Sequence, residues 1–305
     1  MLRDTRFQRI NVFPITGALG ADIRGVDLSN APDTATMAEV RKALDIYHVI
    51  AVREQTLTPA SYKAVAARFG AFSPNPVHAS MPGLEHIIRF EREPDDTGKV
   101  IGEDWHMDLA WLPRPPGITM LYGEVVPAVG GDTCFSSLAM AYRALSPRLR
   151  ALLLGQTAVH SGKGVFAINA MQSRLALRAD AASAEETEVV HPLVCMHPVT
   201  KEPYLFVSSV MRSLMGLSED ESRPLIQYLL QVATRPEFQC RVRWEAGTLT
   251  MWDNPCVLHT AINDYPGYRR VTYRTTIEGW VPVAASADAS THTGTPAQPQ
   301  SLQHA

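Results

Sequence analysis

The sequence predicts a mainly β protein decorated by helices. Helical spacing is concentrated early in the chain, and many short strand-like runs follow it. The helices among these runs do not alternate with strands in the βαβα order that a doubly wound parallel sheet requires. No internal repeat at the periods of solenoid proteins is present.

Four helices are predicted from apolar spacing and capping residues. Apolar residues at helical spacing place the first over residues 34–48. Thr58, followed by proline, begins the second, which Gly70 would end. The other two begin after Ser146 and Ser218. The apolar face of the last helix is expected to hold Leu225, Tyr228, Leu229 and Val232.

Short apolar runs predict strands over residues 49–52, 118–126 and 248–252. Residues near 161–190 are low in strand signal and predict a long insertion that could act as a lid. Residues 284–305 are rich in Ala, Ser, Thr, Pro, Gln and Gly. Such a segment buries too little apolar surface to offset its ordering entropy, so it is expected to be a disordered tail.

Composition excludes several classes of protein. A net charge of −3 over 305 residues lacks the basic surplus of a nucleic-acid binder. No apolar run approaches the roughly 18 residues of a membrane span, and the N-terminus has no apolar region typical of a secretory signal. The four cysteines are far apart, which favours reduced thiols in a cytoplasmic protein over a disulfide framework or zinc knuckle. Nucleotide-binding glycine motifs and hydrolase motifs are also absent.

Candidate chemistry begins with His106 and Asp108, which are two residues apart. In extended structure, residues i and i+2 point the same way, so both side chains could reach one ion. An imidazole and a carboxylate are two of the three ligands in the 2-His-1-carboxylate set of non-haem Fe(II) oxygenases. Taken alone, this pair could equally be a surface histidine beside an acidic residue.

A second segment supplies the missing ligand and two cations. His259 is a candidate third ligand, and Arg270 follows eleven residues later in a β-branched run. On a strand, Arg270 and Arg274 share one face. Buried guanidinium groups need anionic partners, and few acidic residues lie nearby in the sequence. Ligand carboxylates are therefore the natural candidates, since the planar guanidinium binds them through two hydrogen bonds.

Together these residues resemble the taurine dioxygenase/2,4-dichlorophenoxyacetate dioxygenase family of Fe(II)/2-oxoglutarate enzymes. The family pattern is H-x-D, a threonine in a G-G-D-T segment, a distal histidine, and arginines eleven and fifteen residues after it. The matching residues are His106, Asp108, Thr133, His259, Arg270 and Arg274. The resemblance covers roughly residues 8–282 and places one catalytic domain over residues 1–283.

The resemblance implies a double-stranded β-helix, a jelly roll of the cupin type. It implies Fe(II) ligation by His106, Asp108 and His259, with 2-oxoglutarate as cosubstrate and molecular oxygen as oxidant. The distal carboxylate of 2-oxoglutarate would meet Arg270 and Thr133, and Arg274 would face the anionic group of the substrate. Relatives are often dimers or tetramers, so a homo-oligomer is expected. No nucleic acid or membrane partner is expected.

The substrate pocket departs from the taurine enzymes. Their H-P-V-Y stretch is replaced by Asn75-Pro76-Val77-His78, and an asparagine four residues before the first iron ligand is replaced by Gly102. Gly102 leaves room for an apolar ring pocket, which Leu109 and Trp111 could line. Segments 240–244 and 252–256 resemble the enzymes that cleave (R)-2-aryloxypropionate herbicides. In many relatives an arginine follows the W-D-N sequence, where this chain has proline.

Three functions follow. The first is hydroxylation of a small aryloxyalkanoate whose ether is then cleaved, with Asn75, His78, Leu109, Trp111 and Arg274 in the substrate pocket. The second is oxidation of an alkylsulfonate or alkyl sulfate. The third, of another class, is a non-catalytic cupin-like protein that binds metal without turnover.

Overall fold

The structure, a computed structural model, describes residues 2–165, 176–181 and 187–286 and the backbone of Leu302–Gln303. The helices of this part are α1 (Thr34–Tyr47), α2 (Pro59–Ala67), α3 (Leu138–Ala144), α4 (Pro147–Leu153) and α5 (Glu219–Ala233). The first strands are β1 (Arg3–Asp4), β2 (Asn11–Pro14), β3 (Ala21–Arg24), β4 (Val49–Val52), β5 (Ile88–Arg92), β6 (Ile118–Val125), β7 (Thr133–Ser137) and β8 (Thr157–Ser161). The remaining strands are β9 (Glu188–Pro192), β10 (Val194–Met196), β11 (Pro203–Leu205), β12 (Met211–Leu214), β13 (Gln239–Val242), β14 (Leu249–Asp253), β15 (Val257–Ala261), β16 (Arg270–Ile277) and β17 (Leu302–Gln303).

Two facing sheets form the double-stranded β-helix. The larger has the order β2-β3-β4-β14-β6-β16-β5 and is antiparallel except between β3 and β4. The smaller has the order β13-β7-β15 and faces it. Apolar side chains from both sheets fill the space between them, among them Leu121 and Trp252 from the larger and Phe135 and Val242 from the smaller. The predicted jelly roll is confirmed.

Helices cover the outer face of the larger sheet. Leu44 of α1 and Tyr62 of α2 pack with Ile50, Met251 and Tyr273 of the sheet. Strand β4 therefore has apolar neighbours on both faces, and all four of its residues are buried. This explains why its sequence is a continuous apolar run instead of an alternating one.

The predicted elements are confirmed, with two differences in detail. Helix α2 ends at Ala67, so Gly70 lies beyond its C-cap, Arg68. In α5, Leu229 and Val232 are buried as expected, but Tyr228 is 44 % exposed and Ile226 packs in its place. Adjacent positions on a helix are about 100° apart, so the buried stripe is rotated by part of a turn from the predicted one.

The predicted insertion lies between β8 and β9, which pair with each other. Within it, residues 166–175 and 182–186 lie outside the described part. The described residues 176–178 run beside residues 77–79, because the amide of Ala79 donates to Ala176 (2.8 Å) and that of Arg178 donates to Val77 (3.0 Å). The insertion therefore contacts the segment that holds His78, a predicted substrate residue.

The chain remains packed slightly beyond the predicted start of the tail. The amide of Ala285 donates to Val194 (3.0 Å), and Ala285 is buried. Near the C-terminus, β17 pairs with β1. The rest of the predicted tail lies outside the described residues.

All four cysteines are free, as predicted, and Cys195, Cys240 and Cys256 are buried. Among the described helices, none combines the length and apolar character needed to cross a membrane.

Candidate metal and cosubstrate site

The centre of the site is a backbone bridge between His106 and His259. The amide of His106 donates to the carbonyl of His259 (3.0 Å), and the amide of His259 donates back (2.9 Å). Directly opposed antiparallel residues place their side chains on the same face. The two imidazole rings accordingly lie 4.1 Å apart between centroids. Two residues separated by 153 positions in the sequence are thus held side by side by the main chain.

Asp108 completes the group. Its Oδ1 lies 3.6 Å from Nε2 of His106, and its Oδ2 lies 3.7 Å from Nε2 of His259. The three potential ligand atoms all lie within 4.8 Å of one another, a spacing suited to one shared cation. The structure therefore brings together all three residues predicted as metal ligands.

The protonation of these groups suits metal binding. Nδ1 of His106 lies 2.7 Å from the carbonyl of Asp104, so Nδ1 donates to that carbonyl and Nε2 is the ring nitrogen that faces Asp108. Burial, with the neighbouring His106, lowers the pKa of His259 well below its usual range, which keeps that imidazole neutral. Burial alone would raise the pKa of Asp108, but the guanidinium of Arg274 outweighs it and holds the pKa well below its usual range. Neutral imidazoles and an ionised carboxylate are the forms that coordinate metal.

Asn254 fixes the main chain of Asp108, a role that the sequence analysis missed. Its Oδ1 accepts from the amide of Asp108 (2.9 Å), and its Nδ2 donates to the carbonyls of Asp108 (3.0 Å) and Pro116 (3.1 Å). Thr119 also donates its hydroxyl to Oδ2 of Asp108 (2.8 Å). Because Asn254 is 146 positions from Asp108, no spacing in the sequence could have revealed this contact.

Arg274 lies against the predicted metal ligands. Its guanidinium makes an ion pair with Oδ1 of Asp108 (2.7 Å), and both side chains are buried. The guanidinium also lies 5.9 Å from the ring centroid of Phe90. Arg274 was predicted from the sequence to meet the anionic group of a substrate, and no pattern in the sequence indicated its pairing with Asp108.

Arg270 occupies a different environment on the same strand. Its guanidinium lies over Trp244 (5.5 Å) and Tyr265 (6.0 Å), and no carboxylate in the described part of the chain is within ion-pair distance of it. Burial outweighs the influence of Tyr265 and Asp132 and lowers the pKa of Arg270. The indole of Trp244 donates to the hydroxyl of Thr133 (3.0 Å), so Trp244 connects the two predicted cosubstrate residues. A buried cation without an acidic partner fits a bound carboxylate.

The predicted substrate residues gather beside the metal ligands. Val77, Leu109 and Trp111 form one buried apolar cluster, to which Leu177 of the insertion adds. His78 lies edge-on to Phe90, at 5.4 Å between ring centroids, so Phe90 contacts both His78 and Arg274. The side-chain oxygen of Asn75 is directed at the main chain and not into this cluster. It accepts hydrogen bonds from the amides of Val77 (3.0 Å) and His78 (2.8 Å). Its position shapes the turn that carries His78.

Gly102 lies against a predicted ligand. A Cβ atom there would come within 2.9 Å of Cε1 of His106. The space that the sequence analysis assigned to a substrate ring is therefore, at this position, filled by the imidazole itself. Gly102 also has a backbone φ of +78°, a conformation that residues with a Cβ rarely adopt.

Comparison with known proteins gives a consistent family. Residues 11–276 match the model of the family described as "Taurine catabolism dioxygenase TauD, TfdA family". An alpha-ketoglutarate-dependent sulfate ester dioxygenase from Pseudomonas putida is 32 % identical, over 92 % of this chain and 93 % of that protein. The alpha-ketoglutarate-dependent 2,4-dichlorophenoxyacetate dioxygenase of Cupriavidus pinatubonensis is 30 % identical, over 81 % of this chain and 90 % of that protein.

A solved structure has the same fold. The crystal structure of a taurine dioxygenase from Burkholderia xenovorans superposes with a TM-score of 0.77 and is 32 % identical, covering 93 % of this chain and 98 % of that one. The similarity therefore extends over both sheets and the helices that pack on them.

We expect Gly102→Ala to weaken Fe(II) or Co(II) binding by about tenfold or more, because the added methyl displaces the His106 imidazole. The matched control is Gly83→Ala, since Gly83 has a similar φ of +74° and no atom within 4 Å of the added Cβ. Anaerobic metal titration measures both variants. Equal metal affinities for the two would show that the contact between Gly102 and His106 is unimportant.

Proposed function

This chain belongs to the TauD, TfdA family of dioxygenases, and we propose that it hydroxylates a small organic anion at the carbon next to an ether or sulfate-ester oxygen. The enzyme is an Fe(II)/2-oxoglutarate-dependent dioxygenase. Membership of a family of enzymes excludes the alternative of a non-catalytic metal-binding protein. We also propose that residues 1–283 form one catalytic domain and that the protein assembles as a homo-oligomer in the cytoplasm.

His106, Asp108 and His259 are the proposed Fe(II) ligands. Their Nε2 and carboxylate atoms lie close enough to share one ion, and their protonation states suit it. When bound, Fe(II) with 2-oxoglutarate and oxygen supplies the oxidising power to hydroxylate a C–H bond, with succinate and carbon dioxide as co-products. The role of the chain is to hold three ligands on one side of the ion and leave the other side accessible.

Arg270 and Thr133 are the proposed partners of the distal carboxylate of 2-oxoglutarate. The single observation that carries this assignment is the buried guanidinium of Arg270, stacked on Trp244 and lacking an acidic partner in the described part of the chain. Trp244 orients Thr133 by donating to its hydroxyl, which leaves the hydroxyl proton available to a carboxylate.

Arg274 is the proposed partner of the anionic group of the substrate. It lies at the junction of the metal ligands and Phe90, next to the apolar cluster that contains Leu109 and Trp111. A cation beside an apolar surface favours an anion with a hydrocarbon body. Hydroxylation at the carbon next to oxygen gives a hemiacetal-type product. Its new hydroxyl loses a proton and becomes a carbonyl group while the bond from carbon to the ether or ester oxygen breaks, which releases a phenol or a sulfate.

An aryloxyalkanoate is the first candidate substrate. The residues predicted for its ring, Leu109 and Trp111, are buried in one cluster with Val77, and His78 and Phe90 adjoin Arg274. An alkyl sulfate is the second candidate, which the similarity to a sulfate ester dioxygenase over nearly the whole chain favours. Both substrates present one anionic group and one apolar group.

A panel of aryloxyalkanoates, alkyl sulfates and alkylsulfonates distinguishes these candidates when substrate-dependent succinate formation is measured together with release of phenol, sulfate or sulfite. We expect the greatest kcat/KM for one of the first two groups. Succinate formation that no member of the panel stimulates above the uncoupled rate would contradict the proposed substrate class.

His106→Ala is expected to abolish iron-dependent turnover, because it removes a ligand and leaves only two protein groups for the ion. Anaerobic Fe(II) with 2-oxoglutarate should give a weak visible charge-transfer band in the native protein, and this band should be absent in the variant. Full activity of the variant would rule out the proposed ligand set.

Arg270→Ala and Arg274→Ala should have different effects. Since Arg270 is assigned to the cosubstrate, its loss should raise the KM for 2-oxoglutarate by about tenfold or more and affect the substrate KM less. Loss of Arg274 should do the reverse. Steady-state kinetics with each reactant varied in turn measures both, and identical effects would remove the proposed division of roles.

A further inference from the structure

A second buried polar cluster lies outside the site described above. His48, Asp253 and His197 form it, and we call it the carboxylate cluster. Oδ2 of Asp253 lies 3.1 Å from Nδ1 of His48 and 2.9 Å from Nε2 of His197. All three residues are buried. A buried carboxylate costs free energy unless it is paired and hydrogen-bonded. The two imidazoles beside Asp253 offset this cost.

The hydrogen-bond partners fix the direction of these contacts. Nδ1 of His197 accepts the amide of Thr200 (2.9 Å), so the ring proton lies on Nε2, the atom 2.9 Å from Oδ2 of Asp253. Burial would lower the pKa of His48, but Asp253 outweighs it and raises that pKa. His48 therefore donates from Nδ1 to Oδ2 of Asp253, at 3.1 Å.

The carboxylate cluster joins three separate parts of the fold. His48 is the C-cap of α1, with a φ of +57°, and Asp253 is the last residue of β14. His197 lies in the turn between β10 and β11, where its amide donates to Glu202 (3.0 Å). The backbone adds a further contact, since the amide of Asp253 donates to the carbonyl of His48 (2.9 Å).

Asn254 directly follows Asp253 and holds both the amide and the carbonyl of Asp108. We propose that the carboxylate cluster is a positioning device for the metal site: His48 and His197 fix Asp253, which places the Asn254 side chain so that Asp108 faces the ion. This inference rests on the metal ligands proposed above. His48, Asp253 and His197 are positioning residues, because they act on Asp108 only through Asn254.

The main test is Asp253→Asn, which keeps the shape of the side chain and removes the charge that both imidazoles meet. We expect the Kd for Co(II) in anaerobic titration to rise by about tenfold or more, the usual effect of losing an outer-shell partner. The matched control is Asp4→Asn, which removes another buried carboxylate, one paired with Arg6 (2.6 Å). Asp4 lies in β1 and contacts none of the metal-site residues named above, so the Kd should not change. An unchanged Kd in Asp253→Asn would overturn the proposal.

A double-mutant cycle with Asn254→Ala tests the route. If Asp253 acts through Asn254, adding Asp253→Asn to Asn254→Ala should cause no further loss of affinity. The Kd of the double variant for Co(II) should then agree with that of Asn254→Ala within about twofold. Losses that multiply would show that Asp253 affects the metal by another route and would overturn the proposal.

A second pair of variants keeps the test decisive if Asp253→Asn does not fold. The side-chain amide of His48→Asn can still donate to Asp253 from the position of Nδ1, whereas the similarly shaped side chain of His48→Leu cannot. We expect near-native Co(II) affinity for the first and an affinity loss of about tenfold for the second. Equal affinities in the two variants would contradict the proposed role.

Metal stoichiometry distinguishes this inference from two other outcomes. Donor atoms of His48, Asp253 and Cys256 also lie within 4.8 Å of one another, so the carboxylate cluster could itself bind a metal. His106→Ala should bind no stoichiometric Co(II). One equivalent retained in His106→Ala but lost in its double variant with Asp253→Asn would make the cluster a second metal site and overturn the positioning role. An equivalent retained in both would contradict the proposed ligands instead.

Discussion

The reciprocal backbone hydrogen bonds between His106 and His259 are the constraint on which the site depends. They join a loop between β5 and β6 to strand β15 of the smaller sheet, and these main-chain bonds set the separation of the two imidazoles. A main-chain bridge of this kind is difficult to deform, because each amide would lose a buried partner. Asp108 then needs only two more residues of chain to reach the same space. The preorganised geometry follows from the jelly roll itself.

Charge is distributed unevenly around this bridge, and the distribution has chemical consequences. Asp108 is ionised because Arg274 outweighs the effect of burial, while His259 remains neutral because it is buried beside another imidazole. Arg274 shares its charge with Asp108, whereas Arg270 is stacked on aromatic rings without an acidic partner in the described chain. The two arginines lie four residues apart on one strand. Their different surroundings give them different affinities for anions, which is the basis for assigning them to different ligands.

Buried polar contacts behind the site complete this arrangement. Asn254 satisfies the amide and carbonyl of Asp108. His48 and His197 satisfy the buried charge of Asp253, which directly precedes Asn254. Gly102 supports the other side of the site, since only a residue without a Cβ leaves room for the His106 imidazole. These groups contribute no ligand to the proposed metal. They restrict where the ligands can be, and such restriction is what holds a metal site to its geometry.

The sequence by itself determined the fold class, the continuous buried strand 49–52 and the capped helices. It also identified His106, Asp108 and His259, which the structure brings together. Each of these depends on local spacing or on a motif whose residues recur at fixed intervals. Only the tertiary structure revealed that Arg274 pairs with Asp108, that Trp244 connects Arg270 with Thr133, and that Asn254 and the carboxylate cluster lie behind the metal ligands. Most of these contacts join residues that are about 50 to 205 positions apart in the sequence. The packing of the two sheets against one another decides which of these residues come into contact. Spacing along a chain carries no information about such meetings, because it is the long-range strand register that creates them.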